Sequence, residues 1–189
     1  DPDLSGVRAE LEPLVASFRQ RHPRVRLMCE SGRFLAARAG EYVVRVGAVK
    51  QSMGQWFAST DGGTHHHQAA AGIGSVVPRN FPVRLLNRTS AAPAGAWQVT
   101  GSLCTPNDTL ARNVELPQLQ VGDLIGIGRS GAYAASASPG RFLSHGYAAE
   151  VLLHDGDGHL VRRRDNPLDL LRGQHYHHVR TRPMERRQA

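Results

Sequence analysis

The segment that most strongly constrains the fold of this chain is residues 101–111, which read Gly-Ser-Leu-Cys-Thr-Pro-Asn-Asp-Thr-Leu-Ala. A turn of small residues presents one cysteine, Cys104, and an aspartate, Asp108, follows in the same turn. Further along, Ser130-Gly131-Ala132-Tyr133 is a second glycine-rich turn and presents a tyrosine. Glu30-Ser31-Gly32-Arg33 lies upstream and Ala149-Glu150-Val151-Leu152 downstream. The order of these motifs along the chain is more informative than any one of them alone.

The residues around these motifs predict a mainly β protein. Short runs rich in β-branched and aromatic residues are separated by Gly, Pro, Asn and Asp turns, which is typical of strands. The runs are residues 41–50, 55–60, 83–87, 97–102, 124–128, 150–153 and 159–164. We therefore expect an all-β barrel or sandwich domain over residues 41–172.

Residues 1–40 predict a different kind of structure. Apolar residues recur at helical spacing over residues 4–21, and Pro13 should break or kink that helix. Residues 25–29 read as a short buried strand, and residues 34–38 as a short helix. Strand, turn and helix are typical of the last βα segment of a TIM-type parallel barrel. At the other end we expect a short helix at Pro167–Leu171 and a flexible tail over residues 173–189.

Taken together, the four motifs resemble the C-terminal part of the fold-type III pyridoxal-phosphate decarboxylases, the ornithine and diaminopimelate decarboxylase family. That family carries Glu-Pro-Gly-Arg, then Gly-Pro-x-Cys-Glu-x-x-Asp, then Gly-Ala-Tyr, then Ala-Glu-Val-Leu. The resemblance implies the C-terminal β domain of an alanine-racemase-like decarboxylase, preceded by a barrel that carries the cofactor. It also implies that the complete enzyme is a homodimer, uses pyridoxal 5′-phosphate and removes the α-carboxyl group of an amino acid.

The lysine that this family needs is not where the resemblance would place it. Family members hold the cofactor as a Schiff base on a lysine in the first half of the chain, and the single lysine here is Lys50. Ala48-Val49-Lys50 looks like the family's cofactor-lysine motif, but it follows the 30–33 turn instead of preceding it. We therefore interpret Lys50 as a structural residue of a strand. The chain is expected to be a C-terminal piece of a decarboxylase, inactive alone, that needs an N-terminal barrel.

By resemblance, Cys104 is the proton donor and acts in the active site of the partner subunit. A thiol with a tuned pKa suits that transfer, although a free cysteine is more commonly a small buried residue. The resemblance places Glu30, Gly32, Arg33 and Tyr133 on the cofactor side. Helix N-terminal amides and a guanidinium group are good phosphate ligands, whereas a buried tyrosine with one hydrogen bond is the alternative for Tyr133.

The substrate end departs from the diaminopimelate enzymes. Thr105 replaces the glutamate that holds the distal amine of their substrate, which argues against a diamine or diamino-dicarboxylate product. Asp108 is similar to the family acid that pairs across the dimer, and is equally well read as a turn-capping aspartate. Arg79 and Asn80 stand in a Pro-Arg-Asn-Phe-Pro element that resembles the branch acting on carrier-tethered amino acids. Thr105, Asp108, Arg79 and Asn80 are thus the expected substrate residues, and an acyl carrier protein is a candidate partner.

Composition excludes several other classes of function. The net charge of +7 comes almost entirely from arginine, but the arginines are scattered without interleaved aromatics, so we expect no nucleic-acid partner. No apolar run is long enough to span a membrane. Two distant cysteines, Cys29 and Cys104, fit a reducing cytoplasm. Residues 65–67 and 175–178 are rich in histidine but lack the spacing of a structural metal site, so we expect no metal and a surface or pocket-rim position.

Two alternatives from other classes stay open. The chain could be a non-catalytic β-domain module that binds a carrier protein or a partner subunit. It could also be one half of a split decarboxylase whose other polypeptide brings the lysine. A coding region for a lysine-bearing barrel would separate these alternatives.

Overall fold

The computed structural model describes residues 4–88 and 92–177, and the chain divides into two units, Asp1–Ser31 and Gly32–Ala189. The described part of the first unit contains the helix α1 (Ser5–Arg21), which continues through Pro13. The predicted break there was therefore wrong, although Pro13 removes one backbone donor from the helix. Residues 25–29 form no strand, so that prediction was also wrong. An apolar run becomes a strand only when a neighbouring strand accepts its backbone hydrogen bonds, and none is described in this unit.

The second unit is mostly β, as the sequence predicted. It begins with the short helix α2 (Gly32–Ala36) and a 3₁₀ turn at Ala37–Ala39, close to the predicted helix at 34–38. A 3₁₀ turn at Phe142–Ser144 and another at Pro167–Leu171 follow later. Its strands are β1 (Tyr42–Ser52), β2 (Gln55–Thr60), β3 (Val83–Leu85), β4 (Gly95–Thr100), β5 (Thr109–Leu116), β6 (Leu124–Ile127), β7 (Glu150–His154) and β8 (Asp157–Arg162).

Six of these strands form one sheet in the order β3-β6-β1-β2-β4-β5. All neighbours are antiparallel except β2 and β4, which run parallel. The two edge strands, β3 and β5, come into contact, so the sheet curls into a nearly closed barrel. Asn80 bridges this seam, because its amide nitrogen donates to the Arg112 carbonyl at 2.6 Å and its amide oxygen accepts from the Arg112 N–H at 3.0 Å.

The sheet encloses an apolar core. In β1, Val44 and Val46 point inward and are buried while Val43 points outward, as the two-residue period of a strand requires. Trp97 of β4 packs against Trp56 of β2 with ring centroids 5.3 Å apart. The buried members of the cluster are Val44, Val46, Ala58, Ala70, Leu85, Trp97, Val99, Leu110, Ala111, Leu116, Leu119, Ile125 and Ile127.

Strands β7 and β8 form a separate two-stranded hairpin. Its turn places Asp155 and Gly156 at φ values of 50° and 87°, and the β1–β2 turn likewise places Met53 and Gly54 at 49° and 77°. Left-handed values at both turn positions are typical of the tight turns that match strand twist. Residues 173–177 are exposed; the rest of the predicted tail, 178–189, lies outside the described residues. Within residues 4–88 and 92–177, no helix has the length and apolarity to cross a bilayer.

Candidate active site

Two glycines bring the end of the α2 region against the turn that carries Tyr133. Ser130 N–H donates to the Gly40 carbonyl and Gly131 N–H to the Ala37 carbonyl, both at 2.9 Å. A Cβ atom on Gly40 would lie 2.6 Å from the Gly131 nitrogen, and one on Gly131 would overlap the Ala36 carbonyl oxygen. Only glycine therefore permits this approach of two backbones.

This contact places Arg33 beside Tyr133. The guanidinium carbon of Arg33, in α2, lies 4.6 Å from the centroid of the Tyr133 ring. Tyr133 adopts a left-handed backbone with φ of 56°, and its side chain is half exposed. The structure thus brings together one cationic and one phenolic group, each able to donate hydrogen bonds to an anion.

An open pocket of about 260 Å³ adjoins this pair. Arg33, Arg79 and Arg129 contribute to its lining together with Asn80 and Phe81. In the part of the chain that the structure describes, none of the three arginines forms an ion pair with an acidic side chain. Three uncompensated guanidinium groups around one cavity favour an anionic ligand.

The wall of the pocket is held in place by the barrel seam. Asn80 uses its side-chain oxygen and nitrogen on the backbone of Arg112 in β5, so its amide serves mainly to fix the segment that carries Arg79. Phe81 packs edge-on against the buried His67, with ring centroids 5.3 Å apart.

Cys104 and Thr105 lie in the turn between β4 and β5, and Asp108 organises that turn. The Asp108 carboxylate accepts hydrogen bonds from the N–H groups of Leu103 and Thr64, both at 2.6 Å. It is only 4% exposed, and a Cβ atom on Gly101 would overlap it. Asp108 therefore joins the cysteine turn to the segment after β2.

Cys104 itself is a free, exposed thiol. Neither Cys104 nor Thr105 lines the pocket that contains Arg33, Arg79 and Arg129, which we call the arginine pocket. Glu30 is exposed and belongs to the first unit. The structure therefore groups Arg33, Arg79 and Asn80 around one pocket, with Tyr133 in contact with Arg33, whereas Cys104, Thr105 and Asp108 share the segment between β4 and β5.

Three consecutive histidines lie in the interior, which the sequence did not predict. His65, His66 and His67 are all buried, so the expected surface or pocket-rim position was wrong. Burial lowers the pKa of His65 and of His67 to about 4, and the neighbouring imidazole of His66 and guanidinium of Arg33 add to the respective shifts. Burial also lowers the pKa of His66. In the described ranges no group of three or more His, Cys, Asp or Glu side chains is arranged to hold a metal ion.

The buried histidines also form a polar network with their surroundings. Tyr42 Oη lies 3.0 Å from His66 Nδ1, and His66 Nε2 lies 3.0 Å from the Gly146 carbonyl oxygen. Because a carbonyl only accepts, Nε2 of His66 carries the proton and Tyr42 donates to Nδ1. Burial raises the pKa of the Tyr42 phenol far above its usual value, and the charge of Asp61 adds to this. Both Tyr42 and His66 are therefore neutral at physiological pH.

Lys50 lies in β1 opposite Phe57 of β2, and its ammonium group is 5.6 Å from the Phe57 ring centroid. This is the strand position expected from the sequence. Its environment is that of a cross-strand cation–π pair.

Comparison with known proteins identifies the fold and the family. Residues 16–131 match the family described as the C-terminal sheet domain of pyridoxal-dependent decarboxylases. The L-glutamyl-[BtrI acyl-carrier protein] decarboxylase of Niallia circulans is 38% identical over 154 residues, which are 80% of this chain and 36% of that protein. The diaminopimelate decarboxylase of Deinococcus radiodurans is 34% identical over 168 residues, covering 89% of this chain and 41% of that protein.

Solved structures agree. A crystal structure of diaminopimelate decarboxylase superposes with a TM-score of 0.67 at 29% identity, covering 74% of this chain and 35% of that one. The Helicobacter pylori diaminopimelate decarboxylase in complex with L-lysine gives a TM-score of 0.67 at 26% identity, covering 80% of this chain and 36% of that one. The chain thus spans about two fifths or less of the length of the relatives it matches. It belongs to the pyridoxal-dependent decarboxylase family and contains that family's C-terminal sheet domain.

Proposed function

We propose that this chain is the C-terminal portion of a pyridoxal-phosphate-dependent amino acid α-decarboxylase that acts on a carrier-linked substrate. The observation that carries the proposal is the pairing of Arg33 with Tyr133 beside a pocket lined by three unpaired arginines. Family membership supports the use of pyridoxal phosphate. Similarity to a decarboxylase of an acyl-carrier-protein-linked glutamate supports the substrate class.

The residues on the cofactor side have the chemistry that a phosphate group requires. A guanidinium group and a phenol can both donate to phosphate oxygens, and an added Cβ at Gly32 would meet no atom within 4 Å, so the backbone there is open to a ligand. We assign Arg33, Gly32 and Tyr133 to the phosphate side and Glu30 to the cofactor as well. When bound, the cofactor takes up the electron pair that departure of carbon dioxide leaves behind.

Cys104 is the proposed proton donor. Its exposed Sγ–H is presented by a turn that Asp108 holds through two short hydrogen bonds. In the reaction this proton is transferred to the former α-carbon, where it replaces the lost carboxylate. Following the family, we propose that each Cys104 serves the active site of the partner subunit in a homodimer.

The substrate end is proposed to be formed by Thr105, Asp108, Arg79 and Asn80. Arg79 faces the arginine pocket, which would hold an anionic group of a carrier-borne arm. Asn80 and Asp108 act through the segments they fix, because their polar atoms are used on backbone groups. The net charge of +7 would favour encounter with an acidic carrier protein.

The remaining surface supports a covered position in a larger enzyme. The β7–β8 hairpin exposes the side chains of Val151, Leu152, Leu153, Leu160 and Val161. An exposed apolar patch on such a hairpin is typical of a surface that contacts another domain or subunit. We propose that the lysine-bearing barrel or the partner subunit covers it. The free thiols of Cys29 and Cys104 are in keeping with a cytoplasmic enzyme.

The test is reductive trapping of the cofactor, followed by a substitution at Cys104. We expect borohydride to fix pyridoxal phosphate on the complete enzyme, meaning this chain together with a lysine-bearing barrel, but not on this chain alone. In the complete enzyme, Cys104→Ala should lower turnover by about 10²–10⁴-fold while cofactor stays bound. Full turnover and unchanged stereochemistry of proton delivery in the Cys104→Ala enzyme would remove the assigned role.

A non-catalytic module, or one half of a split enzyme, remains the second candidate. Two observations favour this candidate. The barrel has its own apolar core, and the Lys50 ammonium group lies against the Phe57 ring in the sheet. Activity on mixing this chain with a separately expressed barrel would establish the split enzyme. Carrier binding without any activity in that mixture would establish the module.

A further inference from the structure

The loop that carries Tyr133 is long and conformationally unfavourable. We call residues 129–146 the Tyr133 loop; it contains no strand, and its one regular element is the 3₁₀ turn at Phe142–Ser144. Arg129, Tyr133, Leu143 and Ser144 all have φ between 51° and 63°. Side chains disfavour that region, and such a conformation persists only where surrounding contacts impose it. Something must therefore hold this loop.

The first half of the loop is held by His67 and Gln68. His67 Nε2 lies 2.9 Å from Ser130 Oγ, which itself donates to the Ile127 carbonyl at 2.7 Å. Because the serine proton is used on that carbonyl, His67 is the donor to Ser130. Gln68 N–H donates to Ser138 Oγ at 2.9 Å, and its side-chain amide donates to the Ala137 carbonyl.

The second half of the loop is held by the two preceding histidines. His66 Nε2 donates to the Gly146 carbonyl at 3.0 Å. The His65 ring packs against the His145 ring with centroids 4.5 Å apart and an interplanar angle of 41°. Four consecutive residues, His65 to Gln68, thus contact the loop near its start, its middle and its end. We call these four residues the histidine segment.

The histidine segment is itself fixed to the barrel. The N–H groups of His66 and His67 both donate to the Gly63 carbonyl, at 2.9 and 3.1 Å, which forms a tight turn. The preceding residue, Thr64, donates its N–H to Asp108. Tyr42 of β1 donates to His66. The histidine segment therefore connects the Tyr133 loop to the six-stranded sheet.

We infer that His65, His66, His67 and Gln68 are positioning residues that hold the Tyr133 loop in place and so keep the Tyr133 phenol beside Arg33. The hydrogen bonds of His66, His67 and Gln68 use polar atoms that an apolar side chain of similar size would lack. Core filling alone does not require them, since leucine or phenylalanine would fill the same volume. That the positioned group is a phosphate ligand rests on the proposed function.

The experiment is hydrogen–deuterium exchange on the complete enzyme, with variants at both ends of one hydrogen bond. His67→Leu and Ser130→Ala should each speed exchange of amides in residues 130–146 at least tenfold and leave β1 and β2 unchanged. His67→Gln, which keeps a donor at a similar reach, should stay within about twofold of the parent. Thr60→Val is the matched control, because the Thr60 hydroxyl is buried and donates to the carbonyls of Gly62 and Thr100 instead of to a residue of the loop.

Two results would overturn the inference: unchanged exchange over residues 130–146 in both variants, or a rise that spreads equally over the barrel as in a general loss of stability. Ser130→Ala is the milder change and keeps the test decisive if His67→Leu fails to fold.

A second measurement, of cofactor affinity, distinguishes the positioning role of the histidine segment from the proposed phosphate-binding role of Tyr133. The ratio of affinities for pyridoxal phosphate and for pyridoxal should fall at least fivefold in Tyr133→Phe and in Ser130→Ala, but not in Thr60→Val. If exchange rises as expected while the ratio is unchanged in both Tyr133→Phe and Ser130→Ala, the phosphate role of Tyr133 is wrong and the link from the segment to the cofactor is lost. If the ratio falls in Tyr133→Phe alone, the proposed function stands and the positioning role is refuted.

Discussion

The six-stranded barrel and the β7–β8 hairpin are built from the same local elements but differ in what they bury. Both contain an antiparallel hairpin closed by a turn with two left-handed residues. In the barrel, Ile125 is 0% exposed, whereas Leu153 in the hairpin is 78% exposed. A sheet that curls until its edges meet encloses its own apolar face, and two strands alone cannot do so.

The barrel and the hairpin therefore differ in whether their apolar side chains are buried within this chain. The barrel has its own core and its own buried polar network, so it fixes the positions of Tyr133 and of the Cys104 turn from within. The hairpin leaves its apolar side chains exposed among the described residues. The pocket lined by Arg33, Arg79 and Arg129 is likewise uncompensated, but in charge instead of apolar area.

The largest expected effect is the loss of stability on acidification, which comes from the buried histidines beside the barrel and not from the hairpin. The pKa of His65 and of His67 is about 4 in the folded state and about 6.5 in the unfolded chain. The unfolded chain therefore binds more protons between these values, and the free energy of unfolding falls as the pH is lowered from 6.5 towards 4. Each histidine contributes a slope approaching about 1.4 kcal/mol per pH unit within that window.

Urea unfolding at pH 7, 6 and 5 measures this slope. His67→Gln should remove one histidine's share of it, whereas Thr60→Val, which changes no titratable group, should leave the slope as it is. Equal slopes for all three proteins would mean that His67 does not stay neutral in the folded state.

The second largest effect should come from truncation of core residues. Ile125→Ala removes three carbons from a fully buried site in β6 and should cost about 2–5 kcal/mol of unfolding free energy. Leu153→Ala in the hairpin should change it by less than about 0.5 kcal/mol in this chain. Denaturant titration of both variants makes the comparison, and a loss at Leu153 as large as that at Ile125 would show that the hairpin is already buried.

A pair of aspartates gives the next test. In Asp108→Asn, an amide N–H₂ group replaces one of the two carboxylate oxygens that accept backbone N–H groups. An N–H₂ group cannot accept that hydrogen bond, so we expect the free energy of unfolding to fall by about 1–3 kcal/mol. Asp155, in the hairpin turn, is exposed, and asparagine accepts its left-handed backbone, so Asp155→Asn should be close to neutral. Thermal unfolding of the two variants, each compared with the parent, provides the measurement. A neutral Asp108→Asn would show that the carboxylate is not the anchor of the Cys104 turn.

Strands with strong local patterns were predictable from the sequence. Residues 55–60 were predicted as a strand and are β2 without change, and the alternation in residues 41–50 predicted β1 to within two residues. The strand β5 was missed. Its alternation is interrupted at Asn113, which adopts a left-handed φ of 49°, and its pairing with β4 shifts register twice. A pattern of period two does not survive such bulges.

The site was predictable only where chemistry is local. Cys104 and Tyr133 stand in short motifs that can be read directly, and their roles stay predictions. The burial of His65 to His67 could not be read, because their partners Ser130 and Gly146 lie 63 residues from His67 and 80 from His66 in sequence. Consecutive polar residues ordinarily indicate a surface, and only the fold brings the Tyr133 loop over them.

The smallest change in unfolding free energy is expected at the barrel seam, where β3 meets β5, and at an ion pair of the hairpin. Asn80→Ala removes the two hydrogen bonds that bridge the barrel seam and should lower the unfolding free energy by about 1 kcal/mol. The matched change in the hairpin, Glu150→Ala, removes a half-exposed ion pair with Arg162, and exposed pairs contribute little. Native-state hydrogen exchange at β3 and β5 should rise in Asn80→Ala and stay constant in Glu150→Ala. If the β3 and β5 amides exchange no faster in Asn80→Ala, the barrel is held closed by its core alone, and the seam has no share in fixing Arg79 at the pocket.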